Sequence, residues 1–283
     1  MPLSRRGSGV APATRALASQ VHPVFMLPPV ACSLFGGVLA GAFAPLSGAL
    51  HATAIFAAVY TAHVKDGYVD FHVRGEDDDH PLTERGCKGA LAASTALFFA
   101  CLGGLWLAAS PGAALLTLPT WLVAYHHAPQ LDTNPVTATT GYPLGIALSI
   151  LGGYYAQADA LGAVPLAFAA VFLVLLSGVK VIDDAQDFEY DRSIDKRTVA
   201  VALGPRRART AAYALMTAAL VLVVGFAALA VFPPSSVAAV AGFGAVALAA
   251  RRADPTLATM LLVRGSYVFL ALLLVAVWFR PLA

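Results

Sequence analysis

Charge is what this chain has least of. Asp, Glu, Lys and Arg make up 12% of its 283 residues, against about 25% in an ordinary soluble domain. So little charge cannot cover a water-facing surface, and the 59% hydrophobic content and positive mean hydropathy place the chain in lipid. Basic excess is missing as well. A formal net charge of +2, scattered along the sequence, excludes nucleic acid as a partner. Cysteine is limited to Cys32, Cys87 and Cys101, with no CxxC spacing, and two of them lie in apolar runs where a small thiol packs like any hydrophobe. Neither a disulfide framework nor a zinc site is implied. The first twenty residues also lack an apolar core. They carry Arg5, Arg6 and Arg15 among Ser, Gly and Pro, and the run that opens near Val21 is as long as a full span, so residues 1–20 read as a short cytosolic tail.

What is present is a succession of long apolar runs, near 22–44, 47–64, 88–108, 112–127, 141–158, 162–182, 210–231, 235–250 and 256–279. Crossing about 30 Å of hydrocarbon at 1.5 Å per residue takes roughly 20 residues. Residues 21–283 therefore read as a single all-α, polytopic membrane domain of about nine transmembrane helices, in two four-helix groups plus one. Gly37 and Gly41 form a small-xxx-small pair of the kind that lets membrane helices approach closely. With the N-terminus inside, the inside segments hold every Lys and Arg except Arg280, counting Arg264 with them. Of the acidic residues, only Asp159 falls in an outside loop. The positive-inside rule then turns the charged segments to the cytosol, as expected of a multi-pass protein of the plasma membrane.

Two inside segments concentrate the chemistry. After the sixth run stands VIDDAQDFEYDRSIDKRT, in which Asp183, Asp187 and Asp191 recur at intervals of four and share one face if the helix continues. Like charges stacked this way repel by about 0.2–0.5 kcal/mol per pair even on a solvated helix, and a bound cation is the natural compensation. Oxygen ligands favour magnesium, which takes one or two carboxylates and completes its shell with water and substrate phosphates. After the second run stands HVKDGYVDFHVRGEDDDHPLTERG, with Asp66 and Asp70 again four apart at a helix end. The two rows would hold Mg2+ on a diphosphate, with Arg74, Lys196 and Arg197 neutralising the remaining phosphate oxygens. The contiguous run Glu76, Asp77, Asp78 and Asp79 points in all directions and suits a solvated loop.

These residues resemble the UbiA superfamily of intramembrane prenyltransferases. The nine-helix pattern and the two Asp-rich segments cover essentially the whole chain, and the second motif is similar to Asp183-xxx-Asp187-xxx-Asp191 followed by Lys196-Arg197-Thr198. The first motif departs from the family's Asn-Asp-x-x-Asp: Asp66 stands at the Asn position, Gly67 at the first Asp and Asp70 at the second, while Arg74 falls where a third Asp often lies. Tyr68, Asp70, Phe71 and Gly75 are similar to the Asp-Tyr-x-x-Gly run of the naphthoate branch. The resemblance implies ionisation of an allylic prenyl diphosphate, with Asp70 and Asp187 catalytic, Mg2+ as cofactor, and attack by a lipophilic, aromatic acceptor within the bilayer. A carotenoid or a glycerol-phosphate lipid is the alternative acceptor.

Other residues weigh less. His126, His127 and Asn134 read as interfacial and loop residues, and Tyr142 is the acceptor-binding candidate. His72 and His80 stand beside acids, yet no second ligand pair at a defined spacing accompanies them. The Asp66-Gly67 pair opens like the phosphatidyltransferase motif, but Asp70-Phe71 follows where Ala-Arg should stand. A non-catalytic isoprenoid-binding or transport protein is the alternative of another class; a transporter would place its ionisable residues near mid-span.

Overall fold

The computed structural model describes residues 2–194 and 196–281. Met1, at the start of the expected tail, Asp195, and Leu282 and Ala283, at the end of the expected membrane domain, lie outside them. In chain order the helices are α1 (Val10–Ala18), α2 (Pro23–Leu39), α3 (Pro45–Gly67), α4 (Glu84–Ala108), α5 (Pro111–Tyr125), α6 (Pro135–Ala158), α7 (Ala163–Asp184), α8 (Phe188–Ser193), α9 (Val199–Leu203), α10 (Pro205–Ala228), α11 (Val237–Ala250) and α12 (Pro255–Phe279). Among the described residues the one β-type pairing is an isolated bridge between Ser4 and Leu82, so the chain is all-α as expected.

A helix stands on each of the nine apolar runs, but they are not alike. α4, α7, α10 and α12 are long and apolar enough to cross a membrane, and α1 with α2 makes a fifth if that pair, bent by 69°, is taken as one span. Three of the others fall short for visible reasons. α5 and α11 have 15 and 14 residues, and α3 carries His51, His63, Lys65 and Asp66. Proline at the first or second helical position opens α2, α3, α5, α10 and α12, where its missing N–H costs nothing and its fixed φ suits the helix. The expected tail contains α1 and is docked: the Arg5 amide donates to the Pro81 carbonyl and the Thr83 amide to that of Leu3, both at 3.0 Å.

The chain divides into two compact units, Met1–Asp132 with Leu148–Ala160, and Thr133–Ala147 with Leu161–Ala283. In the first, α3 packs against α2, α4 and α5, around a core of Ala54, Ala57, Ala58, Phe98, Cys101 and Ala124. Alanine on the facing surfaces lets helix backbones close in where lipid tails offer no hydrophobic drive. Polar side chains bridge the same helices: Thr61 and Ser94 hydroxyls at 2.8 Å, and Ser33 Oγ with His51 Nδ1 at 2.6 Å. The C-terminal part of α6 lies directly on α2. A Cβ on Gly36 would stand 2.1 Å from the Ile150 carbonyl oxygen, and one on Gly153 would stand 2.0 Å from that of Ser33.

In the second unit α7 packs against α10 and α12, and α11 against α12. Among the alanines and valines of its core stand paired phenylalanines. Phe269 meets Phe172 at 5.6 Å and Phe243 at 5.8 Å between ring centroids, and Phe168 meets Phe232 at 4.4 Å.

Replacing Gly153 by Ala should therefore lower stability by about 1–3 kcal/mol, the usual cost of overpacking. The measurement is the thermal-unfolding midpoint in detergent beside Gly89→Ala, where nothing lies within 4 Å of an added Cβ and no loss is expected.

Candidate functional site

In the first unit the site begins where α3 runs on, without a break, into a π-helical turn, Tyr68–Arg74. Such turns are rare and concentrate at functional positions. Gly75, with φ of 68°, ends it in the left-handed region that glycine adopts without strain. The Glu76 amide then donates to the Asp70 carbonyl at 2.8 Å, folding Glu76 back toward the turn. Arg74 becomes the centre of a carboxylate cluster. Its two terminal nitrogens donate to Asp132 Oδ2 and Oδ1 at 2.7 and 3.2 Å, Asp70 Oδ1 lies at 3.6 Å and Glu76 Oε1 at 3.7 Å. Asp132 is 5% exposed, and the guanidinium bonds both of its oxygens. That bidentate hydrogen bond in turn raises the Arg74 affinity for its proton, and desolvation opposes it.

Asp66 and Asp70 thus stand at the end of one helix as expected, both half-buried. Arg74, expected on phosphate, is here bonded to carboxylates. Glu76 does not join the solvated loop as its neighbours Asp77 and Asp78 do; Asp79 pairs with Arg6, and with Arg5 at 3.6 Å. Asp132 carried no signal in the sequence, being 58 residues from its partner.

In the second unit the helix does not continue through the aspartate row. α7 ends at Asp184, the Gln186 amide turns back to the Asp183 carbonyl at 3.0 Å, and α8 begins after Asp187. Asp183, Asp187 and Asp191 therefore do not stack on one straight helical face. Asp187 is exposed, while Asp191 is 3% exposed. Lys180 Nζ lies 2.9 Å from Asp183 and 2.7 Å from Asp184. Lys196 Nζ lies 3.9 Å from Asp191, and the Lys196 amide donates to the Asp191 carbonyl at 2.9 Å. Burial pushes the Asp191 carboxyl above its ordinary range; the Lys196 ammonium pulls it down, and the charges of Asp184 and Asp187 push it up again. Arg197 is exposed, next to Thr198, whose hydroxyl caps α9. Tyr142 lies half-buried on α6.

Sequence reasoning missed Asp184 and Lys180. The signal was there, a lysine one turn before an aspartate, which meet on one helix face. Asp184 also tests whether a metal suits the cluster. Its Oδ2 is buried with no hydrogen-bond partner, an expensive state for a carboxylate oxygen. A hard divalent cation such as magnesium is the species that oxygen donors of this kind hold.

Comparison with known proteins gives one consistent result. The model of the UbiA prenyltransferase family matches residues 30–255. A search of curated proteins found no match. Among solved structures, the apo form of a UbiA homolog from Aeropyrum pernix K1 is 18% identical, with a TM-score of 0.70, covering 90% of this chain and 97% of the other. A UbiA homolog from Archaeoglobus fulgidus bound to DMAPP and Mg2+ is 16% identical, with a TM-score of 0.67, covering 94% and 99%. A digeranylgeranylglyceryl phosphate synthase is 14% identical, with a TM-score of 0.68, covering 93% and 97%. At these identities the likeness is one of fold.

The raised Asp191 value has a consequence for stability. A carboxyl that ionises less readily folded than unfolded stabilises the fold only while protonated, and that contribution is lost as pH rises through the folded-state value. In chelator-treated protein, Asp191→Asn should therefore raise the thermal midpoint at neutral pH, with the gap closing as pH falls below the ordinary carboxylate range. A midpoint unchanged or lower at neutral pH would contradict this account of the buried charge.

Proposed function

The chain belongs to the UbiA prenyltransferase family, and from that membership we propose that it moves a prenyl chain from an allylic prenyl diphosphate to a lipophilic, aromatic acceptor. Pyrophosphate is released, and the product belongs to quinone or isoprenoid-lipid biosynthesis. The observation that carries this reading is the acidic set beside Lys180 and Lys196, where Asp191 is buried and Asp184 keeps one oxygen unpartnered, within a chain matched by that family.

Asp66, Asp70, Asp183, Asp187 and Asp191 would hold Mg2+, and Asp184 joins them. When bound, the metal stabilises the negative charge that develops on the departing diphosphate. Arg74, Lys196 and Arg197 bind the phosphate oxygens that the metal leaves. The allylic C–O bond breaks with its electron pair going to the diphosphate oxygen. An electron pair of the acceptor ring forms the new C–C bond, and loss of the ring proton restores aromaticity. Tyr142 orients the acceptor. The apolar helices keep water from the cation-like prenyl chain.

A second acceptor class, a glycerol-phosphate lipid, is favoured by the likeness to the digeranylgeranylglyceryl phosphate synthase; there the bond formed is C–O and the proton lost is a hydroxyl proton. The protein is a multi-pass membrane protein. We place the Asp-rich segments in the cytosol and the chain in the plasma membrane, on the one-sided distribution of Lys and Arg.

The test is pyrophosphate release by detergent-purified protein given a panel of prenyl diphosphates and acceptors, with and without magnesium. Release should require magnesium and one acceptor class, and should fall about 10²–10³-fold in Asp70→Ala and in Asp187→Ala, the scale of losing one preorganised charge-stabilising group. Folded protein that releases no pyrophosphate with any pair would move the chain to the isoprenoid-binding or transport reading.

A further inference from the structure

Two histidines and a cysteine converge where the Tyr68–Arg74 turn, the loop after it and the first turn of α4 meet. The potential ligand atoms of His72, His80 and Cys87 all lie within 4.8 Å of one another. Cys87 Sγ is 3.9 Å from His80 Nδ1, and the two imidazole centroids are 5.8 Å apart. His80 is 4% exposed and Cys87 fully buried. His80 Nε2 is, in addition, a buried nitrogen with no hydrogen-bond partner. The His80 ring lies against Gly67, where a Cβ would stand 2.6 Å from Nε2, so glycine at that position is what admits the imidazole. None of these three side chains serves the transfer proposed above.

We propose that His72, His80 and Cys87 bind one zinc-class divalent ion, at a site chemically distinct from the carboxylates that suit magnesium. Two imidazole nitrogens and a thiolate are borderline-soft donors, which select zinc and its neighbours over magnesium. The second shell agrees at His72, whereas His80 Nε2 packs against Gly67 with no acceptor. A ligating imidazole ordinarily gives its other N–H to a carbonyl, and His72 Nε2 lies 3.2 Å from the Leu82 carbonyl oxygen, leaving Nδ1 for the ion. At His80, Nδ1 faces the thiol and gives up its 3.2 Å contacts with the Leu82 amide and carbonyl. Bonds of about 2.0–2.3 Å to a tetrahedral ion set ligand atoms about 3.3–3.6 Å apart, so the cluster contracts by roughly 1 Å, a movement open to the half-buried His72 ring. Cys87 loses its proton on binding.

A water takes the fourth position of the tetrahedron. Arg5 donates to the His80 carbonyl and stacks 4.2 Å over Phe71, with Asp79 at 3.6 Å to balance it. An ion held here ties the loop behind Asp70 and Arg74 to α4.

The test needs no transferase activity. Chain purified in magnesium buffer should retain about one zinc by elemental analysis. Chain stripped of metal and loaded with Co2+ should show a thiolate-to-cobalt charge-transfer band in the near ultraviolet. Cys87→Ser should abolish that band. His72→Gln should weaken cobalt affinity beyond the roughly 10–100-fold typical of losing an outer-shell partner. Asp187→Asn should keep both zinc and band, which separates this site from the magnesium carboxylates. Folded wild-type chain with neither zinc nor a thiolate band overturns the proposal, as does a band that survives Cys87→Ser. Should Cys87→Ser fail to fold, the wild-type band and its response to His72→Gln decide.

Discussion

An ion withdrawn from water must be met by an opposite charge or by a shell of hydrogen bonds, because its solvation cannot otherwise be replaced. That constraint organises both charged ends of this protein. Asp132 can be buried because Arg74 grips both of its oxygens. Asp184 can be buried because Lys180 lies one turn earlier on the same helix. Asp191 is the least well served, with Lys196 at 3.9 Å. A structure with 12% charged residues that nevertheless gathers them into such clusters has stability to lose there, and function is the ordinary reason for accepting that loss.

Backbone geometry makes the clusters possible. The π-turn after α3 and the left-handed Gly75 bring Glu76 back onto Arg74, which a straight helix would not do. The turn at 185–187 ends α7 and starts α8, so the second aspartate row bends instead of stacking its repulsion on one face. In both places the helix departs from regularity where the charge is densest. The apolar parts of the same helices are regular, and pack through alanine and glycine in both units, joined by phenylalanine pairs in the second.

The two kinds of donor are kept apart by the same local folding. Carboxylates gather around Arg74 and Lys180, hard oxygens suited to magnesium and phosphate. The imidazoles of His72 and His80 gather with Cys87, and His80 packs against Gly67. The glycine that stands where the family's first motif carries a carboxylate is thereby accounted for: a side chain there would collide with His80. The first motif is thus a different local packing as well as a missing ligand.

The sequence by itself determined the solvent and the class, and it marked two charged segments. Hydrophobic runs and scarce charge require lipid and helices, proline marks helix starts, and repeated aspartates after the second and sixth runs mark the charged ends, because each of these is a property of neighbouring residues. The shared face of the second aspartate row depended on the helix continuing, and α7 stops at Asp184. Tertiary structure decided what depends on residues far apart in the chain. Asp132 meets Arg74 across 58 positions, and the tail docks by pairing Ser4 with Leu82. No periodicity encodes such partners; they are selected when buried charges and backbone groups find what will satisfy them.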